Sequence, residues 1–431
     1  LWKAPLSKVK SLNNLKGLIS LGQGVDHILK DNIIDENIPI VRTNLLDSEI
    51  ESILEPLKSG WLVQGPKVDE FEKKWCKFTG AEHSIAVTSC TSGLFLSLAA
   101  VGLERGDEVI VPAFTWISTA NVVENLGGKV IFCDIELKSF NIDINQIEKL
   151  ITPKTKAIIP VHLFGLPADM NPIIELAEKY NLYIVEDAAC GFGSKYNGKH
   201  VGNFGKTGVF SFHPRKAITT GEGGMITTKD EKLASKIRCL RDHGASISDR
   251  QRHLGNSPFL LADHPEAGHN QRMTDMQAAL GSAQMERANK IVNERKRIAS
   301  IYDEKFSSLD WLQIPENTGR FNHGYQSYAC LLKPNQLDIK KKTLDEKIKQ
   351  INKLRNSWMI ELQKDGISTR PATHAVHMLS FYKKKYNLCP NDFPNSYFAN
   401  DCSISLPLFH GMTEDEQNYV IERVLQHSDN F

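Results

Sequence analysis

The chain has 431 residues, enough for two or three domains with a large core. Its 52 lysine and arginine residues balance 51 aspartate and glutamate residues, which excludes the strongly basic surface of a dedicated nucleic-acid-binding protein. The sequence contains no apolar run near the ~20 residues of a membrane-spanning helix. It has no signal-peptide pattern, and none of its eight cysteines form a CxxC pair. We therefore expect a cytoplasmic protein with reduced thiols and no membrane partner.

From residue 83 onward, apolar strand-like runs alternate with helical patterns such as residues 92–101 and 172–180. This alternation predicts an α/β fold with a mostly parallel central sheet covered on both faces. In such sheets, ligands bind outside the carboxyl ends of the strands. The predicted strands are residues 83–88, 108–112, 129–134, 156–161, 182–186, 208–212 and 224–227.

The C-terminal part has a different pattern. Residues 284–306 predict one long charged helix, and residues 251–268, with Gly, Pro and His, predict a long loop. A strand at 328–332 and a helix at 343–364 predict a smaller α+β domain. We expect three regions, which are an N-terminal extension at 1–42, a large domain at 43–290 and a small C-terminal domain at 291–431.

Two of the strand ends carry groups suited to a flat, anionic ligand. The run Thr-Ser-Cys-Thr-Ser-Gly at residues 88–93 precedes a helix, where small hydroxyl residues and free N–H groups bind phosphate. The same run would also suit a plain helix N-cap. Trp116 follows the strand at 108–112 and is either a core residue or a stacking platform.

The strand at 182–186 leads into two adjacent carboxylates, Glu186 and Asp187. Since successive strand residues face opposite sides, at most one of them points into a given site. A buried carboxylate is costly unless a cation faces it. That cation is either a structural arginine or lysine, or a protonated heteroaromatic nitrogen.

The strand at 208–212 runs into a loop that contains Ser211, Lys216 and a glycine-rich turn at 221–224. Lys216 is either a solvated surface charge or, if desolvated near a cationic cofactor, a nucleophile for Schiff-base chemistry. Pyridoxal phosphate needs a lysine, a carboxylate for its ring nitrogen and phosphate donors. The combination of all three favours pyridoxal phosphate as the cofactor.

On these segments the sequence resembles the DegT/StrS family of pyridoxal-phosphate-dependent sugar aminotransferases, which have fold type I of the aspartate aminotransferases. The resemblance covers roughly residues 38–431. The matching segments are residues 59–66, 89–93, 186–189, 211–224, 240–244, 270–279, 370–377 and 405–413.

The resemblance implies roles for individual residues. Lys216 would form the Schiff base and move the substrate proton, and Asp187 would keep the ring nitrogen protonated. Cys190 stands where the family often has Gln or His near the phenolic oxygen, and a thiol is a weaker hydrogen-bond partner there. The implied cofactor contacts are Thr91, Ser92, Trp116, Asp187, Cys190, Ser211, Lys216 and Asn270. The implied substrate contacts are His162, Glu222 and Arg272, and no metal site is expected.

The implied reaction moves an amino group from an amino acid, by resemblance L-glutamate, to a keto-sugar that is nucleotide-linked, for surface polysaccharide or secondary metabolites. Asn270 would reach a neighbouring subunit's phosphate, which implies a homodimer with composite active sites. Alternative acceptors are a keto-cyclitol or a free keto-sugar acid. A sugar dehydratase is disfavoured by Lys216, because dehydrating relatives have His there, and a non-catalytic relative is disfavoured by the intact Lys216 and Asp187.

Residues 1–42 instead resemble the start of the glyoxylate/hydroxypyruvate reductases, which use NAD(P). The short run Gly22-Gln23-Gly24 lacks the third glycine of a dinucleotide fingerprint, so we expect no reductase activity. Residues 38–42 would also suit the beginning of the aminotransferase family.

Overall fold

The computed structural model describes residues 37–248, 259, 261–333 and 344–430. The reductase-like segment before residue 37 and most of residues 251–260 lie outside the described residues. Within the described residues, no helix is long and apolar enough to cross a membrane.

Strands make up a large central sheet and several small ones. In chain order they are β1 (His83–Val87), β2 (Glu108–Pro112), β3 (Phe114–Thr115), β4 (Lys129–Cys133), β5 (Thr155–Ile158), β6 (Tyr183–Asp187), β7 (Lys195–Tyr196), β8 (Lys199–His200), β9 (Thr207–Ser211), β10 (Gly224–Thr228), β11 (Leu312–Gln313), β12 (Phe321–Asn322), β13 (Tyr328–Leu332), β14 (His374–Ala375) and β15 (Ser403–Leu406).

Helices pack against these sheets. In chain order they are α1 (Asp47–Glu51), α2 (Leu54–Ser59), α3 (Pro66–Thr79), α4 (Cys90–Ala100), α5 (Ser118–Asn125), α6 (Ile144–Leu150), α7 (Met170–Tyr180), α8 (Glu231–Arg241), α9 (Asp275–Met285), α10 (Ala288–Phe306), α11 (Leu344–Lys364), α12 (Ser380–Tyr386), α13 (Pro394–Cys402) and α14 (Glu414–Gln426).

The central sheet has seven strands in the order β1-β10-β9-β6-β5-β2-β4. The pairs β2/β4, β2/β5, β5/β6 and β6/β9 are parallel, whereas β10 is antiparallel to both of its neighbours, β9 and β1. Six strands therefore run in one direction and β10 alone in this sheet runs in the other. All five residues of β2 are buried, as expected for a strand with helices on both faces. The predicted α/β fold with a mostly parallel sheet is confirmed.

Local sequence explains where many helices begin. Within the described residues, a side-chain oxygen accepts an amide hydrogen bond at the N-terminus of five helices, which satisfies one of the free N–H groups there. These capping residues are Ser89, Asp143, Asp230, Thr274 and Thr413. Helix α3 instead begins at Pro66 and ends before Gly80, which has a φ of 75°.

The long helix predicted at 284–306 is confirmed as α10, but it begins at Ala288, because the chain breaks after α9 ends at Met285. Arg287 lies between them with φ −111° and ψ 17°. Its guanidinium donates to both carboxylate oxygens of Glu49 and to the carbonyl of Asn44. These long-range contacts coincide with the break, and helical spacing in the sequence does not reveal them.

The C-terminal part contains an antiparallel sheet with the order β11-β13-β15. The start of the described chain joins this part, since Ile38 N donates to Gly366 O at 2.8 Å and Ser368 N donates to Ile38 O at 2.9 Å. The expected boundary at residue 290 falls in the first turn of α10. We propose that the chain divides into its large and small domains there.

Candidate active site

The direction of the strands brings the predicted motifs to one edge of the central sheet. The ends of β1, β6 and β9 share this edge because these strands run in the same direction. The reversed strand β10 begins there, with Gly224 paired to Val87 and to Ser211. The hydroxyl-rich run, Asp187, Ser211 and the glycine-rich turn are therefore neighbours.

The hydroxyl-rich run forms a compact turn at the start of α4. Ser89 Oγ accepts from Ser92 N at 3.1 Å, and Ser92 Oγ lies 2.9 Å from Thr88 Oγ1 and 3.0 Å from Ser89 Oγ. Thr91 is exposed in the first turn and Ser92 is half-buried. Hydroxyl groups, free N–H groups and the positive helix end here suit an anion.

The glycine-rich turn has a steric role at this edge. A Cβ atom on Gly224 would lie 2.6 Å from the carbonyl carbon of Ser89 and 2.7 Å from Cys90 N. Glycine therefore allows β10 to begin directly beside the hydroxyl-rich run. Glu222, in the same turn, has an exposed side chain, and its carbonyl accepts from Gln277 Nε2 at 2.8 Å.

Glu186 faces away from the site and is fully bonded within the fold. Its carboxylate lies 2.9 Å from His162 Nε2 and accepts from three backbone amides at 2.7 Å each. Burial alone would raise the pKa of Glu186, but the hydrogen bonds from His162 and the amides outweigh it and lower the pKa. The amide donors are Gly202, Phe204 and Gly205.

Asp187 has a different environment. It is 4% exposed, and its carboxylate accepts from Thr119 Oγ1 at 2.7 Å and from Ala189 N at 3.1 Å. Both donors are neutral, and burial raises the pKa of this carboxyl group. A buried carboxylate held by two neutral donors has capacity for a cationic N–H group.

Lys216 is half-buried and its Nζ donates to Cys190 Sγ at 3.1 Å. A distant side chain, Gln326, binds the loop that carries Lys216. Gln326 Oε1 accepts from Ala217 N at 3.1 Å, and its Nε2 donates to Arg215 O at 2.7 Å. Gln326 therefore binds the residues on both sides of Lys216 and fixes the position of the lysine backbone.

Arg295 binds the segment that carries Gln326, and Gln284 binds the lysine loop itself. Arg295 donates from Nε to Tyr325 O at 2.9 Å and from Nη2 to Gln326 O at 2.7 Å. Gln284 accepts from Thr219 N at 3.0 Å and donates to Thr219 O at 2.6 Å. Gln326, Arg295 and Gln284 are not predictable from the sequence, because each is a single residue on a distant segment and no local motif marks it.

The other predicted cofactor contacts lie at or near this edge. Trp116 follows β3, is 53% exposed and has its ring centroid 5.8 Å from that of His374. Ser211 ends β9, and its Oγ accepts from His213 N at 3.4 Å. Asn270 is exposed and its backbone bridges to Asp242.

Two predicted substrate contacts are engaged elsewhere in the structure. The His162 ring is fully buried, with Nε2 against Glu186 and Nδ1 accepting from Ala168 N at 3.1 Å. His162 therefore belongs to the structural network of Glu186 and not to the substrate opening, which corrects the expectation. Arg272 is paired with Asp242 of its own chain.

These residues fit pyridoxal phosphate, which supplies an electron sink when bound. The fit rests on a half-buried amine, a buried carboxylate with neutral donors and an anion-binding helix start on one sheet edge. Within the described part of the chain, no group of three or more His, Cys, Asp or Glu side chains could hold a metal ion.

Comparisons with known proteins identify a family for the chain. Residues 44–425 match the model of the DegT/DnrJ/EryC1/StrS aminotransferase family. The chain is 38% identical over 378 residues to the spore coat polysaccharide biosynthesis protein SpsC of Bacillus subtilis, which covers 87% of this chain and 93% of SpsC.

Two solved structures are similar over nearly their whole length. Spr1654 from Streptococcus pneumoniae, described as a sugar aminotransferase and solved in its PMP form, has a TM-score of 0.81 and 27% identity, covering 92% of this chain and 99% of that one. PseC from Helicobacter pylori, an aminotransferase of pseudoaminic acid biosynthesis, has a TM-score of 0.80 and 26% identity, covering 92% and 100%. The chain belongs to the DegT/DnrJ/EryC1/StrS aminotransferase family, and it is a pyridoxal-phosphate-dependent sugar aminotransferase of fold type I.

Proposed function

We propose that this enzyme transfers the amino group of L-glutamate to the ketone of a nucleotide-linked sugar, in the biosynthesis of amino sugars for a surface polysaccharide. The observation that carries the proposal is the set of groups at the carboxyl edge of the sheet, with Lys216 Nζ beside Cys190 and the buried Asp187 close by. The relatives support the substrate class. SpsC is named for spore coat polysaccharide biosynthesis, and PseC for pseudoaminic acid biosynthesis.

We assign the following roles to residues of this chain. The Lys216 amine would attach the cofactor and would carry a proton to and from the substrate carbon. Asp187, oriented by Thr119, would hold a proton at the ring nitrogen. Trp116 and Cys190 would be further cofactor contacts, Trp116 at the ring face and Cys190 at the phenolic oxygen.

The phosphate would be held by Thr91, Ser92 and Ser211. The hydroxyl groups of Ser92 and its neighbours already form one hydrogen-bonded turn at the start of α4, which supports this assignment. Glu222, exposed in the glycine-rich turn, stays a candidate substrate contact.

We also propose a homodimer with composite active sites, in which Asn270 reaches the phosphate of the partner's cofactor. An exposed apolar segment near the start of the chain supports association with a second copy. Its six side chains are 42–56% exposed and are Leu46, Ile50, Leu54, Leu57, Leu62 and Val63. Leu54→Glu should give a monomer with weakened cofactor binding, measured by analytical ultracentrifugation and cofactor titration. A variant that stays dimeric would remove this segment from the interface.

We place the enzyme in the cytoplasm. All eight cysteines lie within the described residues and all are free, which supports a reducing compartment.

An absorbance spectrum of the purified holoenzyme, recorded before and after addition of L-glutamate, tests the reaction. We expect the band of the lysine-bound cofactor to be replaced by the shorter-wavelength pyridoxamine band, and a nucleotide-linked keto-sugar to restore the first band with formation of an amino sugar. If only a keto-cyclitol or a free keto-sugar acid restores the first band, that compound is the acceptor and the nucleotide-linked sugar is not. A deoxygenated product without amino transfer would indicate a dehydratase.

A further inference from the structure

Two lysines, Lys199 and Lys229, meet at the edge of the central sheet that is opposite the active site. Lys199 is the first residue of β8, and Lys229 directly follows β10. Because β10 begins at the carboxyl edge and runs against its neighbours, its last residue, Thr228, lies at the other edge. The length of a strand therefore separates this lysine pair from the glycine-rich turn of the active site.

The two amino groups contact each other without a carboxylate between them. The Lys199 amine is within hydrogen-bond distance of that of Lys229, and its Nζ lies 4.8 Å from the centre of the Phe204 ring. No carboxylate of the described residues pairs with either lysine. The acidic residues that follow Lys229 are engaged elsewhere, since Asp230 accepts from Leu233 N at 3.1 Å and Glu231 lies 3.0 Å from His83 Nε2.

Two positive charges in contact repel each other, so the pair favours a state in which one amine is neutral and accepts a hydrogen bond from the other. Lys199 is that amine, because partial burial and then the hydrogen bond and charge of Lys229 lower the pKa of Lys199 to about 8. The buried Glu186 opposes this change more weakly, and its carboxylate is already bonded to His162 and to backbone amides. At pH 7.5 roughly a quarter of Lys199 is neutral, against about 0.1% of an ordinary lysine.

A neutral amine beside a fixed cation suits an electrophile that has an anionic leaving group. An acyl phosphate has both parts. The Lys199 nitrogen would attack its carbonyl carbon, an amide C–N bond would form, and the C–O bond to phosphate would break. The phosphate would leave with the electron pair beside the Lys229 ammonium, and the nitrogen would lose one proton to water. The amide product carries no charge, so the repulsion between the two side chains would be relieved.

We propose that Lys199 is a covalent modification site that acyl phosphates acylate, with Lys229 holding the phosphate group. Both side chains are exposed, so a small reagent in solution reaches them. The site lies at the opposite edge of the sheet from the aminotransferase site and does not depend on the proposed function.

Incubation of the purified holoenzyme with acetyl phosphate at pH 7.5, followed by peptide mass spectrometry, tests the site. Acetylation of Lys199 should be at least about tenfold faster than that of Lys349, an exposed lysine of α11. Added inorganic phosphate should compete for Lys229 and slow the acetylation of Lys199, with no effect on Lys349. The absorbance band of the bound cofactor should stay unchanged, because the modified nitrogen lies away from Lys216.

Lys229→Gln removes the neighbouring charge and the partner of the phosphate, and should slow the acetylation of Lys199 about tenfold. The matched control is Lys349→Gln, which should leave the rate at Lys199 unchanged. Equal rates for Lys199 and Lys349 in the wild-type enzyme would overturn the proposal without the use of any variant. It would also be overturned if neither Lys229→Gln nor inorganic phosphate slowed the reaction of Lys199.

Discussion

The carboxyl edge of the central sheet and the segment that supports the Lys216 loop contribute to the same site in different ways. The edge supplies the reactive groups at or soon after the ends of strands, since Asp187 is the last residue of β6 and Lys216 lies in the loop that follows β9. The support comes from later segments of the chain, where Gln326 binds backbone groups of the loop and Arg295 binds the carbonyl oxygen of Gln326. Reactive groups therefore cluster in local motifs, whereas the groups that position them are dispersed.

Because of this difference, we expect substitutions in the two regions to lower the reaction rate by different factors. A change of a reactive group removes a chemical step and leaves the fold in place. A change of a supporting group alters the geometry of the reactive lysine and costs a smaller factor in rate. Substitutions in each region test whether this division holds.

Lys216→Ala should have the largest effect, with amino transfer abolished and folding retained. The half-buried amine is the group that would attach the cofactor and carry the substrate proton. Loss of the lysine-bound cofactor band and of amino-sugar formation should accompany an unchanged circular dichroism spectrum. The control is Lys206→Ala, an exposed lysine outside the site, and substantial turnover by the Lys216 variant would remove this residue from its role.

Asp187→Asn should lower kcat about a hundredfold or more, because the ring nitrogen would lose its anionic partner in a water-poor site. Thr119→Val, which removes one hydrogen bond to the same carboxylate, should have a smaller effect. Steady-state kinetics with both substrates measures the two variants. Near-normal turnover by Asp187→Asn would show that the ring nitrogen does not depend on this carboxylate.

The carboxyl edge of the sheet could be predicted from the sequence far better than the residues that support the Lys216 loop. The strands and their order of appearance were predicted to within a few residues, because apolar runs and turn residues mark them locally. Alternation along β6 predicted that Glu186 and Asp187 face opposite sides of the sheet. Only the hydrogen-bond partners of the two carboxylates in the structure show that Asp187 is the one at the site. His162 was misassigned because its partner Glu186 lies on another segment, and spacing along the chain does not reveal such a pair.

Gln326→Ala should lower kcat by about tenfold, since the lysine loop would lose hydrogen bonds to Ala217 N and Arg215 O. Gln326→Glu keeps the acceptor for Ala217 N but loses the donor to Arg215 O, and should recover part of the rate. A purely structural role would lower thermal stability without changing how fast the cofactor band appears after reconstitution. We therefore follow that rate, with Gln313→Ala as the control, because Gln313 binds Leu137 O elsewhere.

Glu186→Gln should have the smallest effect on kcat and a clear effect on stability. The carboxylate is fully buried and bonded to His162 and three backbone amides, so its loss should cost about 2 kcal/mol or more. The pKa of Glu186 in the fold is below its ordinary value of 4.5, so its contribution is present above that pH and is lost as the pH falls through the folded pKa.

Thermal unfolding from pH 7 to pH 3 checks this prediction. The wild-type protein should lose the contribution of Glu186 progressively below about pH 4.5, and the Gln variant should lack that part of the slope. The variant's kcat at pH 7 should stay close to that of the wild type, because the carboxylate faces the Gly202–Gly205 segment and not the cofactor edge. A large fall in kcat with unchanged stability would reverse the assignment of the two neighbouring carboxylates, and with it the division between reactive and supporting groups.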